Sequence, residues 1–371
     1  MTKRLFFSVG DFSSDLHTSE IITELFKIDK DLKIFAVGGD KMKESGAEIL
    51  EYTVGHATVG FIEAFFNLPY FYYLDKMVKR FIFKNKPALV VLVDNPGFNL
   101  RLAEYCYELN IPVIYFIPPQ VWAWYYKRIK TIKRCVKKVL FIFPFEEKLY
   151  KDEKIEAKYV GNPLFMKIKK FLQKKQEIEN SKEKNDIAIL PGSRLSEWLY
   201  HIPIIKNFIR NRKDKNFVIS IAETLKDIHK VIKDIEELKK IENLIVSYDN
   251  VYNLISNSEK VLCSSGTVSL ESALLEKPGL SFYKTSLLNY YLAKKIAKLP
   301  YISLPNLILY FANEKDIIYK ELIQQNFNIE ELNKNLDNII CNKEIFKRLK
   351  ELIRELPTSK IVANEIYGLL G

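Results

Sequence analysis

The chain has 371 residues, of which 48% are hydrophobic and 28% charged, a composition typical of a folded protein with room for two domains. Its four cysteines and four histidines are scattered without a C-x-x-C pair, so the sequence indicates neither a disulfide framework nor a metal site. The net charge of +11 favours nucleic acid, an anionic membrane surface or a phosphorylated substrate as partner, although a generally lysine-rich composition explains it equally well.

The hydrophobic runs argue against a signal peptide and against a membrane-spanning helix. The first run ends at Gly10 and Asp11, which predicts a buried strand. The longest uncharged run, 109–126, contains three prolines that would break a helix. We therefore expect a soluble or peripheral protein.

Short apolar runs alternate with helical patterns along the chain, which predicts buried parallel strands joined by crossover helices. The runs lie at 4–9, 33–39, 88–93, 112–117 and 138–143, and then at 187–190, 216–222, 243–247, 260–263 and 279–283. A charge-rich segment at 167–186 separates the two groups and predicts an exposed helix or linker. We predict an α/β protein with two Rossmann-like, doubly wound domains at 1–165 and 185–342, with helical residues 343–371 packing back on the first.

Ligands of such folds bind at the carboxyl ends of the strands, so the loops there are the places to look for chemistry. After the first strand come Gly10, Asp11, Ser13, Asp15 and His17, which predict a capped helix start, a loop that binds sugar hydroxyls, or both. Asp94 follows the strand at 88–93 and could act as a general base or simply begin a turn.

An aromatic and basic loop follows the strand at 112–117. Trp122 and Trp124 lie two residues apart, beside Lys127, Arg128 and Lys130. They could stack on a base or sugar, sit at a membrane interface, or form a packed aromatic loop.

Two loops of the second half point to a diphosphate. In PGSR (191–194), Ser193 can cap a helix and Arg194 can bond two phosphate oxygens at once. The stretch 264–268 places Ser265, Gly266 and Thr267 at a helix start, where N–H groups bind phosphate. Glu271, further along that helix, could accept hydrogen bonds from ribose hydroxyls.

The sequence favours metal-independent chemistry without a cofactor. The only Asp-x-Asp pair, Asp29 and Asp31, precedes a strand and therefore lies at the wrong end of the sheet to hold a metal beside a substrate. We interpret that pair as a solvated turn.

Together these motifs resemble those of one family, lipid-A-disaccharide synthase, from about residue 6 to 325. Each motif alone is weakly specific, whereas their order and spacing are highly specific. The matching stretches are GDFSSDLH (10–17), VGGDKM (37–42), VGFIEAF (59–65), DNPGFNLRLAE (94–104), PPQVWAW (118–124), FPFEEKLY (143–150), YVGNPL (159–164), LPGSRLSE (190–197), SSGTVSLESALL (264–275) and YLAKKIAKLPYISLPNLI (291–308).

The chain departs from the family's usual residues at Ser14, Gly97, Pro118, Gln120 and Asn162. The family has a second aspartate where Gly97 stands, so one candidate base is missing and Asp94 is left for that role. The changes at Pro118 and Gln120 could alter acceptor contacts. None of the departures touches the two donor-side loops.

The resemblance implies an inverting glycosyltransferase of the GT-B arrangement, in which two Rossmann-like domains face a central cleft. The implied reaction transfers 2,3-diacylglucosamine from UDP-2,3-diacylglucosamine to 2,3-diacylglucosamine 1-phosphate, giving a β-1,6-linked disaccharide 1-phosphate and UDP. Asp94 and Arg194 are the implied catalytic residues. The donor-side candidates are Ser193, Ser265, Gly266, Thr267, Glu271 and Asn306. The acceptor-side candidates are Gly10, Asp11, Ser13, Asp15, His17, Glu63 and Trp122.

Acylated substrates predict contact with a membrane. The aromatic segment 59–80, which ends in Lys76, Lys79 and Arg80, has the pattern of an interfacial helix, with a core helix as the alternative. A second basic amphipathic stretch lies at 287–298. The expected location is the cytoplasmic face of the inner membrane of a Gram-negative bacterium, and a homodimer is left open.

Two other functions remain to be weighed. A UDP-N-acetylglucosamine 2-epimerase has two Rossmann halves and a UDP site but needs no membrane surface. A basic nucleic-acid-binding protein would match the charge, yet no recognition module is present and the lysines are spread along the chain. The sequence therefore favours a glycosyltransferase that does not bind nucleic acid.

Overall fold

The computed structural model describes residues 3–54, 68–123, 125–177, 185–296 and 299–370. The chain forms two compact units, one made of Met1–Pro163 and Glu355–Gly371 and the other of Leu164–Arg354. Among the described residues, no helix combines the length and the apolar character that crossing a bilayer requires.

The first unit contains a parallel sheet of seven strands in the order β3-β2-β1-β4-β5-β6-β7. The strands are β1 Arg4–Val9, β2 Lys33–Gly38, β3 Glu48–Tyr52, β4 Leu89–Val93, β5 Val113–Phe116, β6 Lys138–Phe141 and β7 Ala157–Tyr159. Alternate side chains of the central strands enter two different cores. Phe6 and Val90 join the core on one face, whereas Phe7 and Val91 join the core on the other. Burial on both faces explains why these strands are continuous apolar runs.

Helices cover both faces of this sheet. They are α1 Phe12–Ile28, α2 Asp40–Glu44, α3 Leu68–Asn85, α4 Pro96–Glu108, α5 Arg128–Cys135, α6 Glu146–Asp152 and, from the C-terminal end of the chain, α16 Thr358–Gly368. Helix α16 buries Val362 and Ile366 in the core that α1 also joins. Its Glu365 forms ion pairs with Lys138 and Lys158, at 2.8 and 2.7 Å.

The second unit contains a parallel sheet of six strands in the order β10-β9-β8-β11-β12-β13. The strands are β8 Asn185–Leu190, β9 Phe217–Ser220, β10 Leu244–Ser247, β11 Ser258–Ser264, β12 Gly279–Tyr283 and β13 Lys320–Ile323. The helices are α7 Pro163–Glu177, α8 Leu195–Arg210, α9 His229–Leu238, α10 Val251–Ser256, α11 Thr267–Leu274, α12 Leu287–Ile296, α13 Leu304–Phe311, α14 Ile329–Leu336 and α15 Lys343–Ile353, with 3-10 turns at Glu223–Leu225 and Gln324–Asn326.

The predicted fold class is confirmed, because both sheets are parallel and both carry crossover helices. Every predicted strand is present, and the structure adds β3, β7 and β13, which no apolar run predicted. All three lie at sheet edges, where one side of the strand has no neighbour and the residues need not be apolar.

The prediction that residues 343–371 pack back on the first unit is wrong for the helix at 343–353. Helix α15 belongs to the second unit, and α16 alone belongs to the first. The apolar face of α15, which includes Phe346 and Leu349, is buried against α11 and α13. Burial of that face in the second unit explains why α15 does not join α16.

Candidate functional site

Asp11 begins the loop after β1 and caps helix α1. Its Oδ1 accepts a hydrogen bond from the backbone N–H of Ser14 at 3.0 Å, and its Oδ2 accepts one from the Ser14 hydroxyl at 2.7 Å. Gly10 is needed here because a Cβ at this position would collide with the side chain of Asn95. Asp11 is only partly buried, so the cap leaves its carboxylate accessible.

Asp94 follows β4, which pairs with β1 so that Val93 lies opposite Val9. Its backbone is left-handed, with φ +48°, which is uncommon for a residue other than glycine. Burial, and next the negative charge of Asp11, raise the pKa of the Asp94 carboxyl to about 7. A carboxyl that titrates near neutral pH suits a general base.

Two other residues of this loop have structural roles. Asp15 is buried and accepts hydrogen bonds from the backbone N–H groups of Gly39 and Lys41, at 2.9 and 3.1 Å. It joins α1 to the start of α2, and its contact with the acceptor stays a prediction. His17 is buried and lies 3.3 Å from the exposed Ser13, measured from Nε2 to Oγ.

Trp122 is held by a carboxyl that the sequence analysis did not single out. The indole Nε1–H donates to Oε1 of Glu146 at 3.2 Å, and the N–H of Phe143 donates to Oε2 at 3.2 Å. Burial raises the pKa of Glu146 to about 8, although these hydrogen bonds oppose the rise. Trp122 also contacts Phe145 edge to face, so it is anchored in a packed aromatic loop. Trp124 and Glu63 lie outside the described residues.

Arg194 begins helix α8 after the turn that follows β8. Its Nη1 forms an ion pair with Oε1 of Glu197 at 2.7 Å. The Arg194 side chain is 49% exposed, whereas that of Glu197 is 7% exposed. A Cβ on Gly192, which has φ +108°, would collide with the Glu197 carboxylate, so this glycine makes room for the pair. The buried carboxylate therefore holds a guanidinium that still faces solvent. The Ser193 carbonyl accepts from the exposed hydroxyl of Thr224 at 2.7 Å.

His201 links the segments that follow β8 and β12 of the second sheet through two hydrogen bonds. The backbone N–H of Lys284, just after β12, donates to Nε2 at 3.0 Å, so Nδ1 carries the proton and donates to the Pro191 carbonyl at 2.7 Å. Burial lowers the pKa of His201. This residue could not be singled out from sequence, because a lone histidine in a helical pattern carries no sign of its burial.

The helix start at 264–268 has an open N-terminus. Ser265 is fixed to β12 by its hydroxyl contact with Ser281 at 2.8 Å and by its N–H bond to the Phe282 carbonyl at 3.0 Å. Gly266 is the N-cap of α11 and provides no capping side chain, and a Cβ built on it meets nothing within 4 Å. Thr267, the first helical residue, is exposed. The first N–H groups of a helix have no partner inside it, so this end can bind an anion.

Glu271 and Asn306 differ in how many of their side-chain hydrogen-bonding groups have partners within the protein. Oε1 of Glu271 accepts from the Tyr252 hydroxyl at 2.6 Å, and burial raises the pKa of Glu271. Asn306 is fully buried; its amide nitrogen donates to the Tyr319 carbonyl and to Glu321, and its oxygen accepts from the N–H of Ile318 and of Tyr319. Four internal bonds occupy the Asn306 side chain, and its donor contact stays a prediction.

The aromatic segment that was predicted to be interfacial is only partly described. In its described part, Phe71 packs against the core that contains Phe6 and Val90. The Tyr70 hydroxyl donates to the Tyr52 carbonyl at 3.1 Å. Tyr72 and Tyr73 are exposed, and the Lys76 ammonium lies 4.3 Å from the centre of the Tyr72 ring. Among the described residues, no group of three or more His, Cys, Asp or Glu side chains is placed to hold a metal ion.

Solved structures with the same fold include a UDP-GlcNAc 2-epimerase of Methanocaldococcus jannaschii in complex with UDP-GlcNAc and UDP. Its TM-score is 0.65 at 15% identity, covering 99% of this chain and 100% of that one. A calicheamicin glycosyltransferase aligns with a TM-score of 0.62 at 12% identity, over 100% and 99% of the two chains. The two parallel α/β units, with polar loops at the carboxyl ends of their strands, therefore have the GT-B fold.

The sequence comparisons are more specific than the fold. A model of the lipid-A-disaccharide synthetase family matches residues 5–363. Lipid-A-disaccharide synthase 1 of Legionella pneumophila strain Philadelphia 1 is 33% identical over 96% of this chain and 94% of its own. Lipid-A-disaccharide synthase of Persephonella marina is 31% identical over 94% and 92%. The chain belongs to the lipid-A-disaccharide synthetase family and is a glycosyltransferase.

Proposed function

We propose that the chain transfers 2,3-diacylglucosamine from UDP-2,3-diacylglucosamine to the 6-hydroxyl of 2,3-diacylglucosamine 1-phosphate, releasing UDP. The observation that carries this proposal is the family match over residues 5–363, which includes the loops at both sheet edges. The epimerase alternative has only the fold in its favour, since those structures share 15% identity or less with this chain.

The donor half of the reaction belongs to the second unit in this proposal. Negative charge builds on the diphosphate as it leaves, and groups already in place for that charge lower the barrier. Arg194 is half exposed and held by Glu197, so its guanidinium can bind phosphate oxygens. The open helix start at Gly266 and Thr267, with Ser265 beside it, can bind the other phosphate.

The remaining donor-side residues would bind the nucleoside and shape the turn. The proposal assigns Glu271 to the ribose hydroxyls, because Tyr252 occupies one of its two oxygens and a carboxylate accepts on both. Ser193 lies directly before Arg194 in the turn, where its hydroxyl could add a phosphate contact.

The acceptor half belongs to the first unit. Asp94 is the proposed general base, and Asp11 and the exposed Ser13 are the proposed contacts for sugar hydroxyls. Gly10 keeps the loop close to Asn95, and His17 lies behind Ser13. Trp122 is proposed as an apolar wall of the acceptor site, a role for which its anchoring by Glu146 is suited.

We propose a metal-independent transfer because Arg194 and the helix N–H groups supply the positive charge that the diphosphate needs. Activity in excess EDTA should equal activity in plain buffer. Loss of activity in EDTA that magnesium restores would contradict this part of the proposal.

The proposal also includes a peripheral position on the cytoplasmic face of the inner membrane of a Gram-negative bacterium, and a homodimer as a state to be tested. Exposed apolar side chains next to lysines support the membrane contact: Tyr72 and Tyr73 with Lys76 on α3, and Leu287, Leu288 and Tyr291 with Lys294 on α12. Acyl chains leave a bilayer at a cost of roughly 0.8 kcal/mol per methylene, so the enzyme should come to its lipids.

Flotation with anionic liposomes tests this contact. The variants replace Tyr72 and Tyr73 by serine on one helix, or Leu287 and Leu288 by serine on the other. An Ile340→Ser variant, which removes an apolar side chain that is 88% exposed elsewhere, is the control. Weaker flotation in one of the first two variants but not in the control supports the proposal, and unchanged flotation in both contradicts these two surfaces.

The experiment that tests the function is an assay of UDP release with both acylated substrates. The proposal predicts release only when the acceptor is present, together with a disaccharide 1-phosphate. UDP-N-acetylglucosamine turned over alone would favour the epimerase. Absence of both reactions in protein that binds UDP would contradict the proposed substrates.

A further inference from the structure

Two carboxyl groups follow neighbouring strands at the carboxyl edge of the first sheet. Strands β1 and β4 pair directly, with Val9 opposite Val93. Asp94 comes immediately after β4, and Asp11 comes two residues after β1. The strand pairing therefore places Asp94 and Asp11 beside each other at this edge, and the charge of Asp11 contributes to the raised pKa of Asp94.

The backbone at Asp94 is fixed by side chains from two other elements. The Asp94 carbonyl accepts from Nδ2 of Asn99 at 2.8 Å and from the Tyr115 hydroxyl at 2.7 Å. Asn99 is itself held by the Ser8 hydroxyl, at 2.6 Å from its Oδ1. A left-handed residue outside glycine is costly and persists only where its surroundings hold it, as they do here. The Asp94 carboxyl is therefore kept next to Asp11.

Asp11 is held in a way that suits a charged carboxylate. Both of its oxygens accept hydrogen bonds from Ser14, one from the backbone N–H and one from the hydroxyl. It also stands at the N-terminus of α1, where the helix dipole favours negative charge. The Asp94 carboxyl accepts a hydrogen bond from the Asn95 backbone, but desolvation outweighs that bond and raises the pKa of Asp94.

Among the described residues, the further groups with a charge or a titratable hydroxyl that bear on the pair come from β5 and α5. Tyr115 reaches Asp94 from β5 but donates its hydroxyl to the backbone carbonyl, and Arg128 of α5 acts on Tyr115. Ionising two neighbouring carboxyls together is costly, so the charge of one favours the protonated form of the other. This agrees with the pKa of Asp94, which burial and the charge of Asp11 raise to about 7.

We propose that Asp11 is a positioning residue that shares one proton with Asp94, and that Ser14 fixes the negative charge on Asp11 so that Asp94 exchanges the proton. The inference rests on the proposed function. In the transfer step the O–H bond of the acceptor 6-hydroxyl breaks and its proton moves to the Asp94 carboxylate. The oxygen forms a bond to the anomeric carbon, and the bond from that carbon to the diphosphate breaks with its electron pair leaving on UDP.

The test is the pH dependence of kcat/KM for acceptor-dependent UDP release. The wild-type profile should lose activity as the pH falls through about 7, where Asp94 becomes protonated. Asp11→Asn keeps an N-cap but removes the charge, so its acid limb should move to lower pH by on the order of one unit or more. The plateau rate should also fall, because Asp94 becomes a weaker base.

Ser14→Ala gives a second, milder variant. It removes the hydroxyl but keeps the backbone N–H that Asp11 also accepts. With the charge on Asp11 less well held, the acid limb should move in the same direction by a smaller amount. An acid limb that stays in place in Asp11→Asn, in protein with normal melting temperature and normal UDP affinity, overturns the inference.

A measurement without turnover separates this inference from the proposed function. The Asp94 carboxyl can be titrated by carbon-13 NMR in protein labelled at aspartate, with Asp94→Asn to assign the signal. A titration that moves to lower pH in Asp11→Asn or Ser14→Ala supports the pairing even if the acylated substrates are the wrong ones. A titration that is the same in all folded variants overturns the pairing even if the enzyme is active.

Discussion

The carboxyl edges of the two sheets have the same strand geometry but present different chemistry. The first edge carries two carboxyls, Asp11 and Asp94, and the pKa of Asp94 is raised to about 7. The second carries a half-exposed guanidinium, Arg194, and a helix start that has no capping side chain. A glycosyl transfer needs a group that accepts a proton and another that receives an anion. The same fold can serve both needs because the chemistry resides in the loops after the strands.

The largest expected effect comes from removing the base on the first edge. Asp94→Asn keeps the shape of the side chain but cannot accept the proton, and general base catalysis contributes roughly 10²–10⁴-fold. We expect kcat to fall by that order while UDP affinity stays normal, measured by UDP release and by calorimetry. Asp227→Asn, an exposed position in the second unit, is the matched control. Near-normal kcat in Asp94→Asn would remove this residue from the chemistry.

Arg194→Ala should have the next largest effect, on the second edge. A lost charge-assisted contact to the leaving diphosphate should lower kcat by on the order of 10²–10³-fold. Arg210→Ala removes an exposed arginine at the other end of the same helix and should leave kcat unchanged. If both variants behave alike in the UDP-release assay, Arg194 has no special role in donor binding.

Gly266→Ala tests the open helix start with a smaller change. The added Cβ meets no protein atom within 4 Å and the backbone is extended, so folding should be unaffected. A methyl group at the phosphate position should nevertheless weaken UDP binding by about tenfold, or roughly 1.4 kcal/mol. Gly97→Ala, also in open space, is the control. Equal UDP affinity in both variants would place the diphosphate elsewhere.

The smallest effect concerns the pH dependence of stability in the second unit. Burial lowers the pKa of His201 below its ordinary value of 6.5, so the folded state resists protonation more than the unfolded chain does. The stabilising contribution is complete above pH 6.5 and is lost as the pH falls through the lower, folded-state pKa. We expect the drop in melting temperature between pH 7.5 and 5.5 to be smaller in His201→Gln than in wild type.

The control for that prediction is His229→Gln, at an exposed histidine on α9. It should retain the wild-type drop in melting temperature. A His201→Gln variant that loses as much stability on acidification as wild type would show that His201 does not titrate with unfolding.

The central strands could be predicted from sequence because burial on both faces requires continuous apolar runs, as in Leu89–Val93. Three of the four edge strands could not be predicted, since an edge strand such as Glu48–Tyr52 has no such requirement. The donor-side loops could be located because glycine and serine at a strand end are typical of turns and helix starts, and the arginine beside them can bind phosphate. The assignment of α15 and α16 to different units could not be predicted, because the sequence of an amphipathic helix does not reveal which core its apolar face joins.

The contacts of polar side chains within the site could not be predicted, for a common reason. Asn306 is predicted at the donor and Asp15 at the acceptor, and backbone groups distant in sequence occupy both side chains. Glu146 and His201 were missed because burial of a polar side chain depends on the same kind of distant contacts. The neighbourhood of Asp11 and Asp94 follows from the strand order, which local patterns do not reveal.

The measurement that tests the division between the two edges most directly is UDP binding by calorimetry to wild type, Asp94→Asn and Arg194→Ala. Both variants should turn over poorly for different reasons. We predict that Asp94→Asn binds UDP as wild type does, and that Arg194→Ala binds it at least tenfold more weakly. Loss of UDP affinity in Asp94→Asn, with unchanged affinity in Arg194→Ala, would contradict the assignment of the proton to one edge and the diphosphate to the other.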